Sequence, residues 1–194
     1  MILPIPLPPP AYEQAIEAVA ACGIKAANVQ ISYARELQSD AVTIRDLGGT
    51  DEVRFRCVRR AVHPDYFVFI EHEGQRAAYY AFVGREDRRE ARAEALDWLG
   101  TRGMLGRIPR FDPARNLGEF AEALETACSA KAGTVLEVLG PNLLTLRKSF
   151  LERGPADDDT LTCVMRMLAA SNAEGHGVSL GFFGNEAAAG ADRR

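Results

Sequence analysis

Long apolar runs are missing from this sequence, and so is an excess of positive charge. Apolar runs are short, Tyr66 to Ile70 being five residues, whereas a membrane-crossing helix needs roughly 20 in a row; no membrane span is expected. Lys and Arg number 23 against 27 Asp and Glu, a net charge of −4. Nucleic acid is bound through a basic face, so it is not an expected partner. No two of the four cysteines stand closer than 35 residues, and structural zinc takes close pairs such as C-x-x-C, so neither zinc nor any cofactor is implied. The opening, Met1 to Pro10, has five prolines and no positively charged start. It reads as a proline-rich extended lead-in, or as the remnant of an export signal, and not as an intact secretory signal.

What is present fits a globular protein. A composition of 47% hydrophobic and 26% charged residues is near the average for folded chains, and 194 residues suffice for one substantial core or two small ones. A first helix is predicted from Ala11 to Cys22, after Pro9 and Pro10, with Gly23 as its stop. Val29 to Tyr33 and Ala41 to Ile44 read as a hairpin of two strands. Gly48 and Gly49 mark a turn, Thr50 offers an N-cap, and a second helix follows through Val53, Phe55, Val58 and Val62, although Val53 to Cys57 alone would also fit a strand. Tyr66 to Glu71 reads as a strand buried on both faces, because alternation is absent. Gln75 to Leu99 is rich in Ala, Arg and Glu and predicts a long helix, with a strand over Arg76 to Val83 as the competing reading.

Thr101 to Asn116 carries Gly103, Gly106, Pro109 and Pro113 and reads as a connector. After it the pattern recurs: a helix over Leu117 to Ser129, strands over Thr134 to Leu139 and Leu143 to Leu146, a helix from Thr160 to Ala170 capped by Asp157 to Asp159, and a strand over Val178 to Phe183. The fold class predicted is α/β (α+β): two related helix-strand-strand-helix-strand units joined by a long helix, their helices packed on a small sheet. The divisions are a lead-in at 1–10, a first unit at 11–74, the long helix and connector at 75–116, a second unit at 117–184 and a flexible tail at 185–194, with one compact domain overall as the alternative.

Laying the chain on itself at an offset of 106 places Cys22 on Cys128 and Cys57 on Cys163. Without a gap it also matches Lys25 with Lys131, Val29 with Val135, Asp51 with Asp157, Val58 with Val164 and Arg60 with Arg166. This register predicts an internal duplication. Each half then has one cysteine at a helix end and one inside the next helix, so Cys22, Cys57, Cys128 and Cys163 are candidates for two structural disulfides, the alternative being four reduced, buried thiols. Oxidised pairs imply a periplasmic or secreted protein, and reduced ones a cytoplasmic protein.

Catalytic signals are few. Gly177 to Gly181 matches G-x-S-x-G around Ser179, but only 13 residues follow, none a histidine, and a nucleophile elbow needs a helix, an acid and a histidine downstream. Glu71 and His72 at the end of the strand over Tyr66 to Glu71, with His63 just before it, could serve a metal-assisted hydrolase, although strand alternation puts Glu71 and His72 on opposite sides. His176 beside Glu174 is no stronger. Arg102, Arg107, Arg110 and Arg115 form a basic stretch that could meet a small anionic ligand. The function expected is non-catalytic: a binding or accessory protein, of the bacterial envelope if the cysteines are oxidised, with a protein or a small anion as partner.

Overall fold

The computed structural model describes residues 9–114, 116–152 and 158–181. Helices and two small mixed sheets make up an α+β fold. The chain divides into two compact units, Met1–Glu86 and Asp87–Arg194.

In the first unit, helix α1 (Pro9–Ala20) starts on its two prolines, where a missing N–H costs no helical bond. Strands β1 (Val29–Ala34) and β2 (Ser39–Ile44) form an antiparallel hairpin closed by Arg35 to Gln38. Helix α2 (Glu52–Val62) buries Phe55, Val58 and Val62. That spacing of three and four residues is a helical stripe, which decides against a strand at Val53 to Cys57. The N-cap is Asp51, not Thr50: its carboxylate accepts the N–H of Arg54 at 2.9 Å, a bond that serves as well as a threonine cap. The chain then returns as β3 (Phe67–Ile70), parallel to β2, giving a sheet ordered β1-β2-β3. Helix α3 (Glu73–Thr101) excludes the strand reading at Arg76 to Val83: Tyr79 and Phe82 are buried while Ala77, Tyr80 and Ala81 are exposed.

One expectation fails in an informative way. The strand near Tyr66 to Glu71 is not buried on both faces; it is the edge of its sheet, with Val68 and Ile70 turned to the core and Phe67 and Phe69 turned out, 51% and 43% exposed. Alternation is present but hidden, because the outward positions are aromatic rather than polar.

The second unit repeats the order. Helix α4 (Leu117–Ala127) is capped by Asn116, β4 (Leu136–Gly140) pairs antiparallel with β5 (Leu143–Leu146), and β6 (Ser179–Gly181) pairs parallel with β5. A one-turn helix, α5 (Lys148–Leu151), burying Phe150, and helix α6 (Asp158–Ser171) stand between β5 and β6. Nothing in the sequence pattern announces α5. The expected cap at Asp157, the end of the last strand at Phe183 and the tail at 185–194 lie outside the described residues. Each unit has its own core, one around Phe55, Val58, Ile44 and Phe82, the other around Leu124, Leu144, Val164 and Met167. No helix among the described residues is long and apolar enough to cross a membrane.

Hairpin, parallel crossover and strand order agree between the units, but the gapless register does not hold in the strands. The last residue of β2, Ile44, pairs with Val29, and the last of β5, Leu146, pairs with Leu136. Val29 therefore answers to Leu136 and not to Val135. The second hairpin turns on Pro141 and Asn142 alone, so the two hairpins differ in length.

Candidate functional site

The cysteines set the frame. Cys22, just past α1, and Cys57, inside α2, stand at disulfide distance, with sulfurs 2.10 Å apart; Cys128, at the end of α4, and Cys163, inside α6, stand 2.08 Å apart. The first pair links the end of α1 to the middle of α2 and the second the end of α4 to the middle of α6, and no cysteine is left over.

At the ends of β2 and β3, where a parallel crossover usually leaves a crevice, the polar groups satisfy one another. Asp46 Oδ1 accepts the Gln75 amide at 2.7 Å and the Gly48 N–H at 2.8 Å, and Gln75 Oε1 accepts the Leu47 N–H at 2.9 Å. These bonds, the Gln75 one foremost, hold the Asp46 carboxyl below the usual range, with help from nearby His72 and Lys25. Arg54 closes the loop by donating to the Leu47 carbonyl at 2.8 Å. Gly48 has φ +73°, and a Cβ there would lie 3.0 Å from the Arg54 guanidinium, which explains the glycine.

The structure does not bring His63, Glu71 and His72 together. His63 caps the C-terminus of α2 before β3 begins, and Glu71 and His72 follow its end. The four-residue strand between them spans roughly 13 Å at ~3.3 Å per residue. Among the described residues no group of three or more His, Cys, Asp or Glu is placed to hold a metal ion. Ser179 of the G-x-S-x-G pattern is on β6, bonded through its N–H to the Asn142 carbonyl. His176 lies against the ring of Phe111, 5.7 Å between centroids.

The connector arginines are dispersed. Arg102 packs its guanidinium 3.8 Å from the centre of the Trp98 ring. Arg107 shares an open depression of about 630 Å³ with Glu119 and Glu122, and Arg110 shares a smaller one with Asp112 and Glu119. Positive charge there stands among carboxylates. Arg115 lies outside the described residues.

At the opposite end of the first sheet, the Tyr12 hydroxyl donates to the buried Asp40 carboxylate, and the Tyr66 hydroxyl donates to the Ala11 carbonyl at 3.4 Å. The start of α1 is thereby held over the starts of β2 and β3. The bond to Asp40, with burial and the same negative charge, pushes the Tyr12 hydroxyl up to about 12. A group whose folded pKa is raised stabilises fully below its unfolded value and loses that contribution as pH climbs through the folded one. The thermal midpoint of the native chain should therefore fall between about pH 10 and pH 12. Tyr12→Phe should flatten that slope while lowering the midpoint at pH 7; equal slopes in differential scanning calorimetry would show that Tyr12 does not carry the effect.

The outer face of this sheet is where the two units part company. Register aligns Ser32, Ala41 and Phe67 in one row and Gln30, Thr43 and Phe69 in the next, so these side chains share the face turned from the core. Beside them the Tyr80 hydroxyl, on α3, donates to the Val68 carbonyl at 2.7 Å, and its ring is 44% exposed. In the second unit the corresponding pairs are Leu143 with Ser179 and Thr145 with Gly181. An equivalent scaffold thus carries Phe67 and Phe69 in one unit and a serine and a glycine in the other. Comparison of the chain with family models, with curated proteins and with solved structures finds no match.

Reading the sequence alone misses this face, although its signal is there: two phenylalanines two residues apart beside a proline-bounded turn. It also misses Glu125, which lies on the buried stripe of α4 four residues after Ala121.

Proposed function

We propose that the chain is a non-catalytic binding protein of an oxidising compartment, built by duplication of one αββαβ unit whose first copy carries an aromatic binding face. The observation that carries the reading is the contrast on the outer face: Phe67 and Phe69 against Ser179 and Gly181 at equivalent rungs. Residues that serve only the scaffold would recur with it. Exposed phenylalanines are costly to leave in water, and an apolar cluster of this kind is commonly an interaction site. The cysteine pairs, each 35 residues apart and each joining the same two helices of its unit, support both the duplication and the compartment.

The test is selection of peptides from a display library on the immobilised full chain. Apolar or proline-containing peptides should be enriched. They should bind at least tenfold more weakly to a Phe67→Ser/Phe69→Ser variant, because the loss of two aromatic anchors removes most of the contact energy. Circular dichroism should show an unchanged fold, since both side chains face solvent. Peptides that bind wild type and variant alike, or no enrichment at all, would defeat the reading. A count of free thiols in the unfolded, unreduced protein should give zero; a count of four would place the chain in a reducing compartment.

A further inference from the structure

We propose that the Cys22–Cys57 disulfide is an exchange site, opened and closed by a partner protein that presents a reactive dithiol, while Cys128–Cys163 is a permanent cross-link. The inference goes beyond the aromatic face and uses none of its residues.

Both pairs close 35 residues, so loop length does not distinguish them. Their surroundings do. Thiol–disulfide exchange needs one sulfur open to an incoming thiolate and the other able to leave as a stable anion. Cys163 meets neither demand. It is 6% exposed and belongs to the core of the second unit with Val164 and Met167, where a thiolate would be stranded in apolar surroundings. Cys128 is half-buried, but attack on its sulfur would expel that buried anion. In the first unit both cysteines are half-buried, and neither is among the fully buried residues of the core. Cys22 lies in the turn that ends α1, between exposed Ala21 and exposed Gly23.

Charge separates the pairs further. Residues three before and three after a helical cysteine share its face. For Cys57 these are Arg54 and Arg60; for Cys163 they are Thr160 and Arg166, with Asp159 four before. Arg166 is already drawn to Glu94, 3.2 Å away. Arg54 also reaches the neighbourhood of Cys22, since a Cβ on Gly23 would lie 4.0 Å from its Nη2. Asp51, 3.6 Å from the Arg54 Nε, offsets part of that charge; Arg60, exposed one turn beyond Cys57, adds a second cation. Cations beside a thiolate favour the ionised form and speed its departure from a disulfide.

The exchange runs in two steps. A thiolate of the partner attacks Cys22 Sγ and forms an intermolecular S–S bond; the Cys22–Cys57 bond breaks, and its electron pair stays on Cys57 Sγ as a thiolate flanked by Arg54 and Arg60. The partner's second thiolate then attacks the partner sulfur of the mixed disulfide, and Cys22 leaves as a thiolate. The two protons given up by the partner's thiols end on Cys22 and Cys57. The partner dithiol is thereby oxidised to a disulfide and the chain reduced to two thiols, and the reverse sequence closes the pair. Opening it unties the end of α1 from α2.

The experiment incubates the native full chain with limiting dithiothreitol or reduced thioredoxin, quenches with N-ethylmaleimide and follows the alkylation of each cysteine by mass spectrometry. Cys22 and Cys57 should label roughly tenfold faster than Cys128 and Cys163 with either reductant. A thioredoxin whose second active-site cysteine is replaced by serine should be trapped on Cys22. Arg60→Gln, a surface change, should slow the opening several-fold and leave the second pair closed. Equal rates for the two pairs, earlier opening of Cys128–Cys163, trapping on Cys57, or an unchanged rate in Arg60→Gln would overturn the exchange site while leaving the oxidising compartment in place. Four thiols that alkylate before any reductant is added would overturn both.

Discussion

Replacing Cys22 and Cys57 together by alanine will lower the stability of the protein by about 3 to 4 kcal/mol, the loop-entropy value for a 35-residue closure. Cys128→Ala with Cys163→Ala should cost a similar amount, because the second pair closes a loop of the same length. The reason is the size of what each pair holds. A unit of some 70 to 100 residues builds a core that exceeds its chain entropy by only a few kcal/mol, so a cross-link contributes a large share of the net. Alanine is preferred to serine because Cys163 is buried against Val164 and Met167, where a hydroxyl would add its own desolvation cost. Urea denaturation of the two double variants measures the effect. Adding reductant to the wild type should bring it to the level of the quadruple variant. A wild type indifferent to reductant, with double variants of unchanged midpoint, would mean that the sulfurs are not bonded in the native protein.

The second large effect is expected at Glu125. Its carboxylate is 1% exposed and gathers the loop before β4: Oε1 accepts the N–H groups of Val135 at 2.8 Å and Leu136 at 2.6 Å, and Oε2 accepts those of Gly133 and, at 3.3 Å, Thr134. Glu125→Ala would leave four backbone donors without these acceptors, two of them, on Val135 and Leu136, in buried residues. A loss of roughly 3 to 5 kcal/mol follows from the cost of stranded polar groups of this kind. Glu125→Gln should recover only part, since an amide offers one acceptor oxygen and points its NH₂ at N–H groups that need an acceptor. Urea midpoints read both, and a Glu125→Ala midpoint within experimental scatter of wild type would show that water or a shifted loop replaces the carboxylate. In the first unit the residue three before Cys22 is Val19, fully buried, so an equivalent helix position there is apolar.

Much of the fold is legible in local chemistry. Pro9 and Pro10 mark the start of α1, the spacing of Phe55, Val58 and Val62 makes α2 a helix, and Gly48 marks the turn before it. Two misreadings have one cause. Tyr66 to Glu71 reads as doubly buried, and Val29 reads as the match of Val135, because strand environment depends on pairing partners that sequence spacing does not reveal. Val29 follows Cys22 by seven residues and Leu136 follows Cys128 by eight, so one extra residue ahead of the hairpin shifts the first strand against its counterpart while the cysteines stay aligned.

The candidate site divides along the same line. His63, Glu71 and His72 are near one another in the chain, and proximity along a strand is a poor guide to convergence, since an extended backbone carries its two ends apart. Phe67 and Phe69 become a face only when β2 lies beside them and α3 brings Tyr80 alongside. Glu125 acquires its acceptor role only when the loop at residues 133–136 folds back over α4.

By itself the sequence determined where most helices and strands form and which four sulfurs are candidates to pair, because periodicity, capping and breakers act within a few residues of each other. Tertiary structure alone decided that β3 is an edge, that its aromatics are left in solvent, and that the first unit differs from the second on this face. Those properties depend on which strands stop pairing and where, and that is a matter of contacts between segments far apart in the chain.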